Sequence, residues 1–95
     1  MIQLTARFIL LFTISLSSYL AEAQTAKEYN EQAKQANSRG DNDGIITAAT
    51  LSLNVSLNGE AYWWRAIGYY NKKNYTLAIS DITKALTYYS GTKSS

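Results

Sequence analysis

Cysteine, histidine and proline are all absent from the 95 residues. Without cysteine no disulfide can staple the fold, although exported domains of this size often rely on them. The same absence rules out a lipid-modified cysteine behind a leader. Without histidine the chain lacks the commonest general base and metal ligand of neutral pH. Without proline nothing breaks a helix from within. Charge is also sparse: charged residues make up 17% of the chain and the net charge is +2. That is too weak for a nucleic-acid surface, and Lys72-Lys73 is an isolated pair suited to a solvated turn.

What is present begins with a leader-like segment. Arg7 precedes the apolar run Phe8–Leu16, and Ser17-Ser18-Tyr19-Leu20 leads into Ala21-Glu22-Ala23. One positive charge, an apolar run and small residues spaced A-x-A are the layout of a secretory signal peptide. The run falls short of the roughly 20 residues that a helical membrane span needs. Cleavage after Ala23 is therefore expected, with residues 1–23 as signal peptide and a secreted or periplasmic product. The alternative is a membrane anchor over residues 8–20. The mature chain, Gln24 to Ser95, keeps eight basic and six acidic residues.

Within it, Thr25-Ala26-Lys27-Glu28 has the spacing of a capping box. Tyr29, Ala33 and Ala36 follow at helical intervals. Gly40 suits a helix carboxyl-terminal cap, and either aspartate of Asp41-Asn42-Asp43-Gly44 can cap the next helix. Residues 45–58 are ambiguous. Ile45, Ala49 and Leu53 share a helical face, whereas Leu51, Leu53, Val55 and Leu57 alternate with polar residues as in a strand, so local period leans to strand over 50–57. Asn58-Gly59 interrupts the chain. Glu60–Lys73 reads as a helix that holds five rings in "AYWWRAIGYY". Asn74 can cap a last helix, amphipathic through Ala78, Ile82, Ala85, Leu86 and Tyr89. Residues 93–95 end a polar tail expected to be disordered.

The stretch "AYWWRAIGYYNKKNYTLAISDITKAL" resembles a tetratricopeptide repeat, a helix–turn–helix unit of about 34 residues. Tyr62, Ala66, Tyr69, Tyr75, Ala78, Asp81-Ile82 and Lys84-Ala85-Leu86 match its pattern, although the usual final proline is missing near Ser90. A degenerate copy lies 33 residues upstream, where Tyr29, Ala33, Ala36, Ile45, Ala49 and Ser52 stand in the corresponding places. The resemblance covers 59–90 well and 25–58 less well. It implies an all-α fold over residues 24–92, with antiparallel helix–turn–helix pairs stacked as a short α-solenoid, and it favours helix over strand for Thr50–Leu57. It also implies a non-catalytic module that takes a peptide or protein partner in a groove lined by the first helix of each pair. The matching groove positions are Lys27, Asn30, Glu31, Lys34 and Asn37, then Glu60, Trp63, Trp64, Ile67, Tyr70 and Asn71. Tyr62, Ala66 and Tyr69 are expected on the buried face. Family members that clamp a terminal carboxylate use paired Lys and Asn, but Trp64 takes the place of the polar partner that would complement Asn30 and Lys34.

Other chemistry is poorly supported. "DNDG" resembles part of a calcium loop, but the terminal ligand places fall on Arg39 and Thr50. Glu28 and Glu31 sit beside Lys27 and Lys34, as solvated ion-pairing residues do. No serine has a nucleophile's glycine context, so neither an enzyme nor a cofactor is expected. Asn54-Val55-Ser56 and Asn74-Tyr75-Thr76 are glycosylation sequons, relevant in a eukaryotic secretory route alone. The expected partner is a protein or peptide rather than nucleic acid, with membrane contact only if the leader is retained. Two helix pairs are few for a repeat stack. A homo-oligomer is therefore a further expectation, with Leu77, Ile79, Leu86 and Tyr88 as its apolar edge.

Overall fold

The computed structural model describes residues 24–94, so the leader and its cleavage site lie outside the described residues. Four helices follow one another: α1 (Ala26–Ser38), α2 (Asn42–Val55), α3 (Gly59–Asn71) and α4 (Tyr75–Ser94). There is no strand among the described residues. Each helix packs on the next in sequence, and α3 also packs on α1. The result is an all-α, helical-repeat-like arrangement of adjacent pairs.

The boundaries follow from local chemistry. Thr25 and Glu28 close the expected capping box: the Glu28 N–H donates to Thr25 Oγ1 at 3.1 Å and the Thr25 N–H to Glu28 Oε1 at 3.4 Å. Asp41, not Asp43, caps α2 by accepting from the Gly44 N–H at 2.9 Å. Asn58 accepts from the Ala61 N–H at 2.9 Å and Asn74 from the Leu77 N–H at 3.4 Å. Each such bond satisfies an N–H that the first helical turn leaves without an internal partner.

These four caps are related in pairs by a shift of 33 residues, Thr25 to Asn58 and Asp41 to Asn74. The turns between them obey the same shift. Arg39 donates to the Gln35 and Ala36 carbonyls, Gly40 to Asn37 and Asp41 to Ala36. Lys72 donates likewise to Gly68 and Tyr69, Lys73 to Tyr70 and Asn74 to Tyr69. Gly40 has φ +71° and Lys73 has φ +65°. Both turns thus end their first helix with one left-handed residue, glycine in one pair and lysine in the other. The backbone repeats where the side chains do not.

The ambiguous segment is helical to Val55; Ser56, at φ −161° and ψ 142°, is extended. The alternation over 51–57 fails as a strand signal because Ser52 and Leu53 are both buried, on adjacent helical positions against α1 and α3. Of the segment, Ser56, Leu57 and the capping Asn58 leave the helix. At the other end α4 enters the segment 93–95 expected to be a tail, with no proline to stop it.

Small side chains build the main core. Ala33 and Ala36 of α1 meet Ile45, Ala48 and Ala49 of α2, and Trp64 of α3 closes the cluster with Ile67 against it. Helices faced with alanine approach closely, and a single large ring then fills the space above the seam. A second cluster joins Leu53, Ala61, Tyr62 and Ala85 across α2, α3 and α4.

Two polar networks stitch these helices together. The Asn58 amide donates to Ser52 Oγ at 3.0 Å and to the Ser56 carbonyl at 2.9 Å, while its Oδ1 also accepts from Asn30 Nδ2 at 3.0 Å. Ser52 Oγ donates in turn to the Ala26 carbonyl, so one capping residue ties α1, α2 and α3. Arg65 makes a two-pronged pair with Asp81, Nε to Oδ2 at 2.8 Å and Nη2 to Oδ1 at 3.0 Å, and reaches Thr50 Oγ1 at 3.3 Å. The Asp81 side chain is 4% exposed. Its hydrogen bonds raise the Arg65 pKa above the ordinary guanidinium value against the opposing effect of burial. The guanidinium therefore stays charged, and loss of its own charge would require pH to rise beyond that strongly alkaline range.

Candidate functional site

Helix α3 carries six of the eleven residues expected in the groove, and successive positions on it point 100° apart. That geometry splits them. Trp63 is 41% exposed, whereas Trp64 is 9% exposed and belongs to the main core. The two rings meet edge to face, with centroids 4.8 Å apart and planes at 65°. The buried ring thereby holds the exposed one by a contact that aromatic pairs favour. Trp64 is thus a core residue with one edge on the groove, and its Nε1 donates to Glu60 Oε2 at 3.3 Å.

Around these rings Lys34 of α1, Glu60 of α3 and Tyr89 of α4 complete an open hollow of about 610 Å³. The hollow has an aromatic floor, a cation on one helix and a carboxylate on the next. Lys34, Glu60, Trp63 and Trp64 are the expected groove residues that it brings together.

The others lie elsewhere. Lys27 is exposed on α1 and does not line the hollow. Asn30 is buried at 6% exposure, with its amide committed to Asn58, so it is a structural link rather than a free groove donor. Its Oδ1 is buried without a hydrogen-bond partner among the described residues. Asn71 donates to Asn42 Oδ1 at 3.0 Å, and beside it Lys72 pairs with Asp43, so this end of α3 is pinned to the start of α2. Ile67 and Tyr70 face a different hollow, shared with α4. There the Tyr70 ring lies against Tyr75 at 5.5 Å.

Of the residues expected on the buried face, Tyr62 and Ala66 are buried and Tyr69 is half-buried. Tyr89 is the wall residue that sequence reasoning missed. The signal lay in Gly59: a Cβ there would come within 2.9 Å of Tyr88 Cβ and 3.4 Å of the Tyr89 ring. The glycine opening α3 thus lets the far end of α4 return beside the groove.

Chemically the hollow can hold an apolar or aromatic side chain against Trp63, with a polar or charged group on either flank. Glu28 is engaged by the cap of α1 and does not face Glu60 across this space. Among the described residues no group of three or more acidic side chains could hold a metal ion, and no helix is long and apolar enough to cross a membrane. No protein-family model, curated protein or solved structure matches the chain.

Proposed function

We propose that the chain is an exported, tetratricopeptide-like, non-catalytic module that binds a segment of another protein in the groove between α1 and α3. The observation that carries this reading is Trp63, an exposed indole braced by a buried one and flanked by Lys34 and Glu60. Exposed tryptophan is costly to leave in water and is among the residues that most often dominate protein–protein binding energy. The 33-residue backbone repeat and the match at Tyr62, Ala66, Ala78 and Ala85 support the family reading. Arg7, the apolar run and Ala21-Glu22-Ala23 support export, with Gln24 as the new amino terminus. The lack of histidine and cysteine supports a role without catalysis or cofactor.

The test pairs capture with substitution. The wild-type protein and Trp63→Ala are used to recover partners from the secreted or periplasmic fraction. The identified segment is then titrated against both. Trp63→Ala should weaken binding by about 2 kcal/mol, or roughly thirtyfold, with helicity and melting temperature unchanged. Equal affinity for the two proteins would overturn the groove reading. Retention of Met1 in a membrane fraction would overturn the export reading in favour of an anchor over residues 8–20.

A further inference from the structure

The 33-residue shift relates surfaces as well as turns. Helix α3 sits on a seat made by the α1–α2 pair, with Ala33, Ile45 and Ala49 buried beneath Trp64 and Ile67. Gly68 approaches so closely that a Cβ there would lie 2.7 Å from Ile46 Cγ1. Shifting Ala33, Ile45, Ile46 and Ala49 by 33 gives Ala66, Ala78, Ile79 and Ile82. These four, with Ile67 and Tyr70, line a hollow of about 280 Å³ between α3 and α4. The hollow is therefore the next seat of the same kind, and no helix of the described chain occupies it. The exposures agree: Leu53 is 9% exposed at the covered seat, while its counterpart Leu86 is 60% exposed and Ile79 is 64% exposed.

We propose that a second copy of this chain occupies the seat, docking its own α3–α4 end there about a twofold axis. Three observations select that occupant. First, the other end of the stack is unsuited. The α1 counterparts of Trp64, Ile67 and Gly68 are Glu31, Lys34 and Gln35, all exposed. Set into an apolar hollow they would strand two charges, so copies do not add head to tail. Secondly, no lining residue of the seat is charged. A twofold contact lays a patch on itself, where any charge would meet its like, and this patch has none to repel. Thirdly, the patch holds both hollow and projection: Ala66 and Ala78 leave space, while the branched side chain of Ile79 stands at the rim. One rim can thus enter the other hollow. The residues around Trp63 share none of these positions, so the groove and the seat stand or fall separately.

Sedimentation equilibrium on the protein in the form the cell delivers, together with melting at several concentrations, tests this. The expected mass approaches twice that of the chain and goes no further, and the melting temperature rises with concentration. Ile79→Glu and Leu86→Glu, at exposed positions, should each weaken the dimer by about a hundredfold while keeping the helical signal. Tyr70→Lys, on the other helix of the hollow and 62% exposed, repeats the test should Ile79→Glu fold poorly. A monomer at every concentration with an invariant melt would overturn the proposal, whatever else the seat binds. So would mass that climbs beyond two chains, or a dimer that survives the seat variants and is broken by Trp63→Ala.

Discussion

In the α1–α2 pair, the core positions of the second helix hold Ile45, Ala48, Ala49 and Ser52. In the α3–α4 pair, the same positions hold Ala78, Asp81, Ile82 and Ala85. The turns, caps and left-handed residue of the two pairs coincide, but their interiors do not. The first pair is sealed by alanines, by Trp64 from the neighbouring helix and by one amide hub at Asn58. The second is held by an ion pair, a ring contact between Tyr62 and Tyr88 at 5.8 Å, and Lys84 over the Tyr62 ring at 5.5 Å. Four short polar capping residues and two left-handed turns therefore set the shape of a pair. What fills the pair depends on whether another helix lies on top of it.

The sharpest way to break the first pair's seal is Trp64→Ala. It removes a ring nearly enclosed in the main core, so a loss of about 3–5 kcal/mol is expected, most of what so small a domain has. Chemical denaturation followed by far-ultraviolet circular dichroism measures it. A loss near that of Trp63→Ala, which should barely change stability, would mean that the two tryptophans are equivalent and the division between core and groove is wrong.

The next test exchanges the second pair's chemistry for the first's. Asp81→Ala alone leaves the Arg65 guanidinium without its carboxylate, and stability should fall by about 3 kcal/mol. Adding Arg65→Gln copies the Gln32 and Ala48 of the first pair, and about half of the loss should return because no partly buried charge is left alone. If the double variant is as unstable as the two single losses added together, the two side chains are not coupled and the ion pair itself adds nothing to stability.

The smallest expected effect lies in the turns. Lys73 holds a left-handed conformation that glycine adopts freely. Lys73→Gly should raise stability by about 1 kcal/mol, and Gly40→Lys should lower it by about the same amount. The space beside Gly40 is open, so backbone strain alone is being measured there. Opposite signs of equal size would make the two turns energetically equivalent; a neutral Lys73→Gly would separate them.

Much of the architecture could be read from residue order. The capping box at Thr25, the stop at Gly40 and the caps at Asp41, Asn58 and Asn74 are each local, decided within four residues of chain. The helical state of Leu51–Val55 was not local. Its alternating pattern gave way to the burial of Ser52 and Leu53 against partners six or more positions further along or 26 back. The groove was half readable for the same reason. A helical wheel places Trp63 and Trp64 on adjoining faces but does not say which face α1 and α2 cover. Asn30 looked free because its partner, Asn58, is 28 residues away. Tyr89 was invisible as a wall because only the bare backbone of Gly59 brings it back beside α3.

The order of packing along the chain also bears on how the protein acquires its structure. Among the described residues no helix packs backbone to backbone on one more than two places away, and the side-chain hydrogen bonds between helices span at most 29 residues. Among the described residues the backbones of the first and last helices do not pack on each other, so the entropic barrier of loop closure stays low and folding of this part should be fast. The α1–α2 seam acquires its Trp64 lid as soon as α3 forms, without any part of α4. Helix α4, whose backbone packs on α3 alone, is where unfolding should start and where amide protons should exchange first.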